Sequence, residues 1–129
     1  MENTELVLCD TDIIIEFYKG NELIASKLED IGVANIAISS ITAAELIFGA
    51  LNKKELKQIS KDIESLNIIK INHNINDTFL ELMKKYSLSH KLRIPDCLIA
   101  ASSIENNIPL FTLNKKDFVF IENIKLFEV

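Results

Sequence analysis

The chain is poor in turn-forming residues. Its 129 residues include three glycines and two prolines, which excludes long irregular loops and predicts short connections with plentiful helix. Tryptophan is absent, and Arg93 is the sole arginine. There are two cysteines, Cys9 and Cys97, both in apolar surroundings. With no CxxC pair, and with His73 and His90 far away in sequence, neither a zinc site nor a disulfide framework is expected; the thiols read as buried and reduced. No apolar run approaches the roughly 18 residues that span a bilayer. The opening "MENTEL" has no basic stretch leading into an apolar one, so no signal peptide is expected and the protein is read as cytoplasmic. Positive charge is also scarce: 14 basic against 19 acidic side chains give a net charge of −5. Taken alone, that balance argues against a nucleic-acid partner.

What the chain does have is apolar residues, 48% of the total, enough for one domain over residues 1–129 with a packed core. No linker, repeat or low-complexity tract interrupts it. "ELVLC" reads as a central strand and "TDIIIEFYKG" as a short helix ended by Gly20. "NELIASKLEDIG" gives a second helix closed by Gly32, and "NIAIS" a second strand. Thr42 is placed to cap the helix through "AAELIFGAL", with Glu45 at capping-box spacing. In "KKELKQISKDIESL", Leu56, Ile59, Ile63 and Leu66 share one face. "IIKI" reads as a third strand. A helix follows from about Ile75, with Phe79, Leu82, Met83 and Tyr86 inward. "PDCLIAASSIENN" is a buried helix opening near Pro95. "PLFTL" and "IKLFEV" complete the series as a fourth strand and a fifth at an edge. Alternating strands and helices predict an α/β fold, a mainly parallel sheet of four or five strands with helices on both faces. Ligands in such folds bind outside the carboxyl ends of the strands.

Four acids sit in unusual company. Asp10 ends a buried strand. Glu45 is the only charge in "ITAAELIFGAL", and Asp96 the only one in "IPDCLIAAS". Asp117 lies just past the fourth strand. Each has an ordinary explanation: a turn-forming Asp10, a capping-box Glu45, a helix-dipole acid at Asp96, a turn cap at Asp117. Together, the alternating fold can bring all four to one sheet edge. Carboxylates gathered in apolar surroundings must take up protons or bind cations. Hard oxygen donors suit Mg²⁺ or Mn²⁺, and two such ions about 3.5–4 Å apart can activate water and stabilise the leaving oxygen of a phosphodiester. If the four acids engage a metal, the rest of the chain is near −1, and the electrostatic objection to nucleic acid weakens.

Nearly the whole chain resembles the PIN-domain ribonucleases, and among them the VapC-type toxins of bacterial and archaeal toxin–antitoxin pairs. "LCDTDIIIEF" is similar to the first family motif, "ISSITAAELIFGA" to the second, and "IPDCLIAASSIENNIPLFTLNKKDF" to the third and fourth in order and register. The resemblance implies a three-layer α/β/α PIN fold. It implies that Asp10, Glu45, Asp96 and Asp117 hold one or two Mg²⁺ or Mn²⁺ ions, with Asp96 and Glu45 as principal ligands and Asp10 shared. Thr112 and Asn114 would support the site or contact substrate, and Thr11 and Asp12 would back the ligands. Asp12 departs from the commoner Asn. The implied activity is metal-dependent cleavage of single-stranded or looped RNA, by a homodimer that a cognate antitoxin blocks. Arg93, three residues before Asp96, is a candidate phosphate contact, and the pairs Lys53–Lys54 and Lys115–Lys116 are candidate rim charges. His73 and His90 receive no role.

Rival readings exist. Asp10-Thr11-Asp12 also fits the Asp-x-Asp of haloacid-dehalogenase-like phosphatases, which would leave Glu45 and Asp96 without a task. A receiver-like domain would need an acceptor Asp after a central strand, and none follows "NIAIS" or "NIIKI". A PIN-domain housekeeping RNA-processing nuclease, or an inactive PIN scaffold that only binds partners, completes the alternatives.

Overall fold

The computed structural model describes residues 5–128. Residues 1–4, on which part of the N-terminal reading rests, and 129, the end of the fifth expected strand, lie outside them. The elements run β1 (Val7–Cys9), α1 (Thr11–Tyr18), α2 (Glu22–Ile31), β2 (Ile36–Ser39), α3 (Ser40–Phe48), α4 (Lys53–Glu64), β3 (Asn67–Ile69), α5 (His73–His90), α6 (Ile94–Asn106) and β4 (Leu110–Phe111). No described helix is long and apolar enough to cross a membrane.

Alternation along the strands builds two cores from one sheet. Leu8, Ala37 and Leu110 face α5 and α6, where they pack with Ile75, Leu82, Tyr86, Cys97, Ile99 and Ala100. Val7, Cys9, Ile36, Ile38 and Phe111 face the other way, onto Ile13 and Ile14 of α1, Ile24 and Leu28 of α2, Leu46 of α3 and Ile63 of α4. The result is the expected three-layer sandwich. Every strand pairing is parallel, in the order β3-β2-β1-β4. The chain moves from β1 outward to β2 and β3, then returns to add β4 on the other side of β1. The order therefore reverses at β1, and the crevice beyond its carboxyl end is where the fold places a ligand.

Three expectations need correction. The fifth strand shrinks to one parallel bridge, Leu110 to Leu126, although backbone bonds from Leu110 N–H to Lys125 O and from Phe127 N–H to Leu110 O do lay that segment along the β4 edge. The N-cap of α3 is Ser39, whose Oγ accepts from the Thr42 N–H at 3.2 Å. Thr42 is thus inside the helix and Glu45 is in its second turn, so no Thr42–Glu45 capping box forms. Leu56, read on one face with Ile59, Ile63 and Leu66, remains 39% exposed, whereas Ile63 is buried. Gly32, in contrast, ends α2 as read, at φ +89°, where a side chain would be strained.

Candidate functional site

Asp10 stands at the reversal point. Its backbone N–H continues the ladder to Phe111 O at 2.9 Å, and it is the N-cap of α1. It is 6% exposed, and both carboxylate oxygens are held. Oδ1 accepts from the Thr11 N–H and Oδ2 from the Thr112 hydroxyl, each at 2.8 Å. The turn-forming role and the place in the cleft are therefore compatible: one oxygen caps the helix while the other meets the β4 side. Burial raises the Asp10 pKa, the two hydrogen bonds pull it back, and the charges of Glu45 and Asp117 raise it further.

Glu45 reaches the same cleft from α3. Thr11 Oγ1 donates to its Oε1 at 2.6 Å and shares a 2.9 Å hydrogen bond with Thr42 Oγ1. Thr42 is fully buried beneath this contact. The sequence reading gave Thr42 a capping role and so missed it as part of the site. The available signal was its spacing, just under one helical turn before Glu45 and on the same face.

Asp96 lies in the first turn of α6, after Pro95. Burial pushes its carboxyl up to about 6; Asp10's charge adds to this, Arg93 opposes it, and Asp117 and Glu45 add further. Arg93 is exposed at the helix N-cap, making no side-chain capping bond. Asp117 closes a 3₁₀ turn, Lys115–Asp117, and is exposed; its N–H donates to Asn114 O at 2.9 Å. Asp10 and Asp96 thus each feel the charges of Glu45 and Asp117. Among the described residues, no three acidic, histidine or cysteine side chains converge as a ready-made cage; oxygens of Asp10 and Glu45 rest on threonine hydroxyls instead.

Asp12 faces the β4 side. Its Oδ2 accepts from Leu113 N–H at 3.2 Å and Asn114 Nδ2 at 2.9 Å, while Oδ1 is buried with no partner. Burial and the neighbouring Asp10 push this carboxyl up to about 6 as well. Asn114 N–H donates to Thr112 Oγ1 at 3.0 Å, so Thr112, Asn114 and Asp12 form one network behind Asp10. The lysine pairs are peripheral: Lys115 pairs with Glu128 at 3.1 Å, and Lys53 and Lys54 begin α4 in the open. His73 pairs with Asp77 at 3.3 Å on the surface.

This donor set fits a hard divalent cation. It is all oxygen, and burial penalises the negative charge of two of its carboxyls, Asp10 and Asp96; behind them, the buried Oδ1 of Asp12 lacks a donor. The thiols do not compete: Cys9 and Cys97 are buried and pushed up to about 12, chiefly by burial.

The PIN domain family model matches residues 7–122. Among characterised relatives, Ribonuclease VapC1 of Methanocaldococcus jannaschii is 32% identical over 113 residues, covering 87% of this chain and 78% of the relative. Two solved structures, a toxin–antitoxin complex from Klebsiella pneumoniae and VapBC2 from Rickettsia felis bound to a DNA fragment from its promoter, are each 30% identical. Their TM-scores are 0.78 and 0.77, covering 95% of this chain and 99% and 97% of theirs. Cleft, topology and sequence agree, and the chain belongs to the PIN-domain family.

Proposed function

We propose that the protein is a divalent-metal-dependent endoribonuclease and the toxin half of a toxin–antitoxin pair. The observation that supports this reading is that Asp10, buried at the carboxyl end of β1, feels the charges of Glu45 and Asp117, and Asp96 those of Asp10, Asp117 and Glu45. The names of its relatives, a ribonuclease and two toxin–antitoxin complexes, support the same reading.

In this reading Asp96, Glu45 and Asp10 hold Mg²⁺ or Mn²⁺, and Asp117 completes the set from its turn. The cation, when bound, supplies positive charge against the charge that builds on a phosphodiester in the transition state. The chain's own residues hold that arrangement ready. Thr11 N–H and the Thr112 hydroxyl fix the plane of the Asp10 carboxylate. The Thr11 hydroxyl aims Glu45. Arg93, exposed beside Asp96, is placed to meet a substrate phosphate as a planar fork. The reading needs no side-chain nucleophile, in keeping with the buried, unreactive thiols.

The toxin assignment has a second support. An apolar groove of about 620 Å³ opens directly beside Glu45, lined by Ile15, Tyr18, Leu46, Leu51 and Ile59. Leu51 in its lining is 84% exposed, and Phe48, next in sequence to the lining residue Gly49, is 91% exposed, so bare apolar surface gathers here rather than lying singly. A homodimer partner and an antitoxin segment are the occupants this reading supplies, in the cytoplasm.

The test is cleavage of single-stranded RNA by the purified chain. Mg²⁺ or Mn²⁺ should support cutting, chelation should stop it, and Asp96→Asn should abolish it with the circular dichroism spectrum intact. Undiminished cutting by a folded Asp96→Asn protein would overturn the site.

A further inference from the structure

One cluster, at the carboxyl end of α5, has no part in the proposed chemistry. His90 ends α5, and its ring stacks on Phe120 with centroids 4.1 Å apart and planes 10° apart. Tyr86 meets both rings edge-on, 5.6 Å from His90 and 5.2 Å from Phe120. Ser89 Oγ lies 2.8 Å from His90 Nδ1 and fixes the imidazole about its own axis. The turn carrying Phe120 is pinned in turn: Glu122 N–H donates to the Tyr86 hydroxyl at 3.1 Å, and Lys85 pairs with Glu122 at 2.7 Å.

Burial grades across the stack. Tyr86 is buried, Phe120 half-buried and His90 exposed. With one face on Phe120 and an edge against Tyr86, the imidazole turns its other face to water. A rigid, open aromatic face is unusual economy for a surface side chain, since a free histidine would keep its rotamers. It is, however, the form of a stacking platform.

Its position gives the platform a use. His90 leads through Lys91, Leu92 and Arg93 into the first turn of α6, which carries Asp96. Phe120 follows the turn that ends at Asp117. Both rings are thus tethered to the segments that deliver two of the four acids. Lys91 and Arg93 are exposed on the short segment that joins α5 to α6. Lys91 is the left-handed C-cap of α5, at φ +56°, and turns the chain from the stack toward α6.

We propose that the His90–Phe120 stack is a subsite for one unpaired RNA base next to the scissile phosphate, with Lys91 and Arg93 taking the flanking phosphates. The proposal rests on the ribonuclease reading for its substrate. Bases in a duplex are stacked on each other and cannot reach such a face, so the subsite selects single-stranded or looped RNA. It also addresses the chain's charge. A protein of net −5 gains little from phosphate attraction, and stacking grips a base without it.

The experiment uses the full chain carrying Asp96→Asn, with Mg²⁺, and a short single-stranded oligoribonucleotide containing a fluorescent purine that dims on stacking. Binding should quench the probe. His90→Ala should weaken binding about tenfold and abolish the quench. His90→Leu, which keeps an apolar contact on Phe120, should behave like His90→Ala, and His90→Phe should retain both signals. In the chain with Asp96 intact, the His90→Ala loss should fall on KM. Equal affinity and equal quenching in His90→Ala would overturn the subsite. Cutting by the unaltered chain with a probe that stays bright would remove the platform and keep the nuclease; quenching without any cutting would keep the platform and remove the nuclease.

Discussion

The two walls of the cleft hold their acids differently. On the β1–α1 wall, Asp10 is almost fully buried, yet Thr11 and Thr112 satisfy both of its oxygens. On the α6 wall, Asp96 is half-buried in a helix first turn, and the charge of Arg93 is what offsets its burial. Asp10 is built into the fold as a cap and a strand-to-loop tie. Asp96 is carried by the fold and contributes little to it. The chemical role proposed for both acids therefore does not entail a shared structural one, and substitution can separate the two.

The largest effect should appear in activity. Asp10→Asn and Asp96→Asn should each lower RNA cleavage by about a thousandfold or more, since each removes charge aimed at the reacting centre. Stability should then distinguish the walls. Asp10→Ala removes the α1 cap and strands the buried Thr112 hydroxyl, costing about 2 kcal/mol in urea unfolding. Asp96→Asn should cost nothing and, without metal, raise the melting temperature by relieving repulsion from Asp10. Equal destabilisation by the two would end the distinction.

Thr112 sharpens it. This buried hydroxyl donates to Asp10 and accepts from the Asn114 N–H. Thr112→Val should cost about 1–3 kcal/mol by unpairing both neighbours and lower activity less than loss of Asp10 itself. Arg93→Ala, its counterpart on the α6 wall, should cost less than Thr112→Val, because the side chain is exposed and caps nothing; what it removes is the charge that opposes the rise of Asp96.

The same contrast explains what could be read in advance. The three-layer architecture was legible because the strands are short apolar runs and the helices end at Gly32 and open at Pro95. Asp96 stood out for the opposite reason: it is the lone charge in "IPDCLIAAS", and its place in the first turn of α6, as read, also suits the helix dipole. The network behind Asp10 was not legible. Whether Thr42 or Ser39 caps α3 depends on where β2 ends, which both hydroxyls satisfy locally. The bond from Thr11 to Glu45 joins residues 34 apart, and that from Asp12 to Asn114 joins residues 102 apart; local spacing encodes neither. The edge segment was overread because Leu126 and Phe127 have strand composition while only one bridge to β4 forms.

Acidity offers a finer probe of both walls at once. Asp12 and Asp96 both rise from 3.8 to about 6 in the folded chain. A raised carboxyl binds its proton more tightly when folded, so the stabilisation is fully present below the unfolded value and is lost as pH rises through about 6. Metal-free protein should therefore melt higher near about pH 5 than near about pH 7.5, the reverse of ordinary acid denaturation. Mg²⁺ should narrow the gap by stabilising the charged forms at the higher pH. Asp96→Asn should remove its share of the pH dependence; a melting temperature that falls on acidification would contradict the assignment.

The smallest effect concerns Asp12, where the β1–α1 wall departs from its own rule. One of its oxygens takes two donors from residues 113 and 114, while the other is buried and unpartnered. Asn at this position would keep an acceptor for the loop and remove a charge next to Asp10. Asp12→Asn should therefore raise metal-free stability slightly, by under about 1 kcal/mol, with the Mg²⁺ needed for half-maximal activity shifting by a small factor. Asp12→Ala should do the opposite: it releases Asn114, whose carbonyl receives the Asp117 N–H, so the turn carrying the fourth acid loosens and cleavage weakens with stability. If Asn proves as damaging as Ala, the negative charge itself is required, and Asp12 belongs with Asp96 as an acid kept for chemistry. If Asn is neutral and Ala is not, Asp12 belongs with Asp10's supports, and its work is to hold the loop on which Asp117 stands.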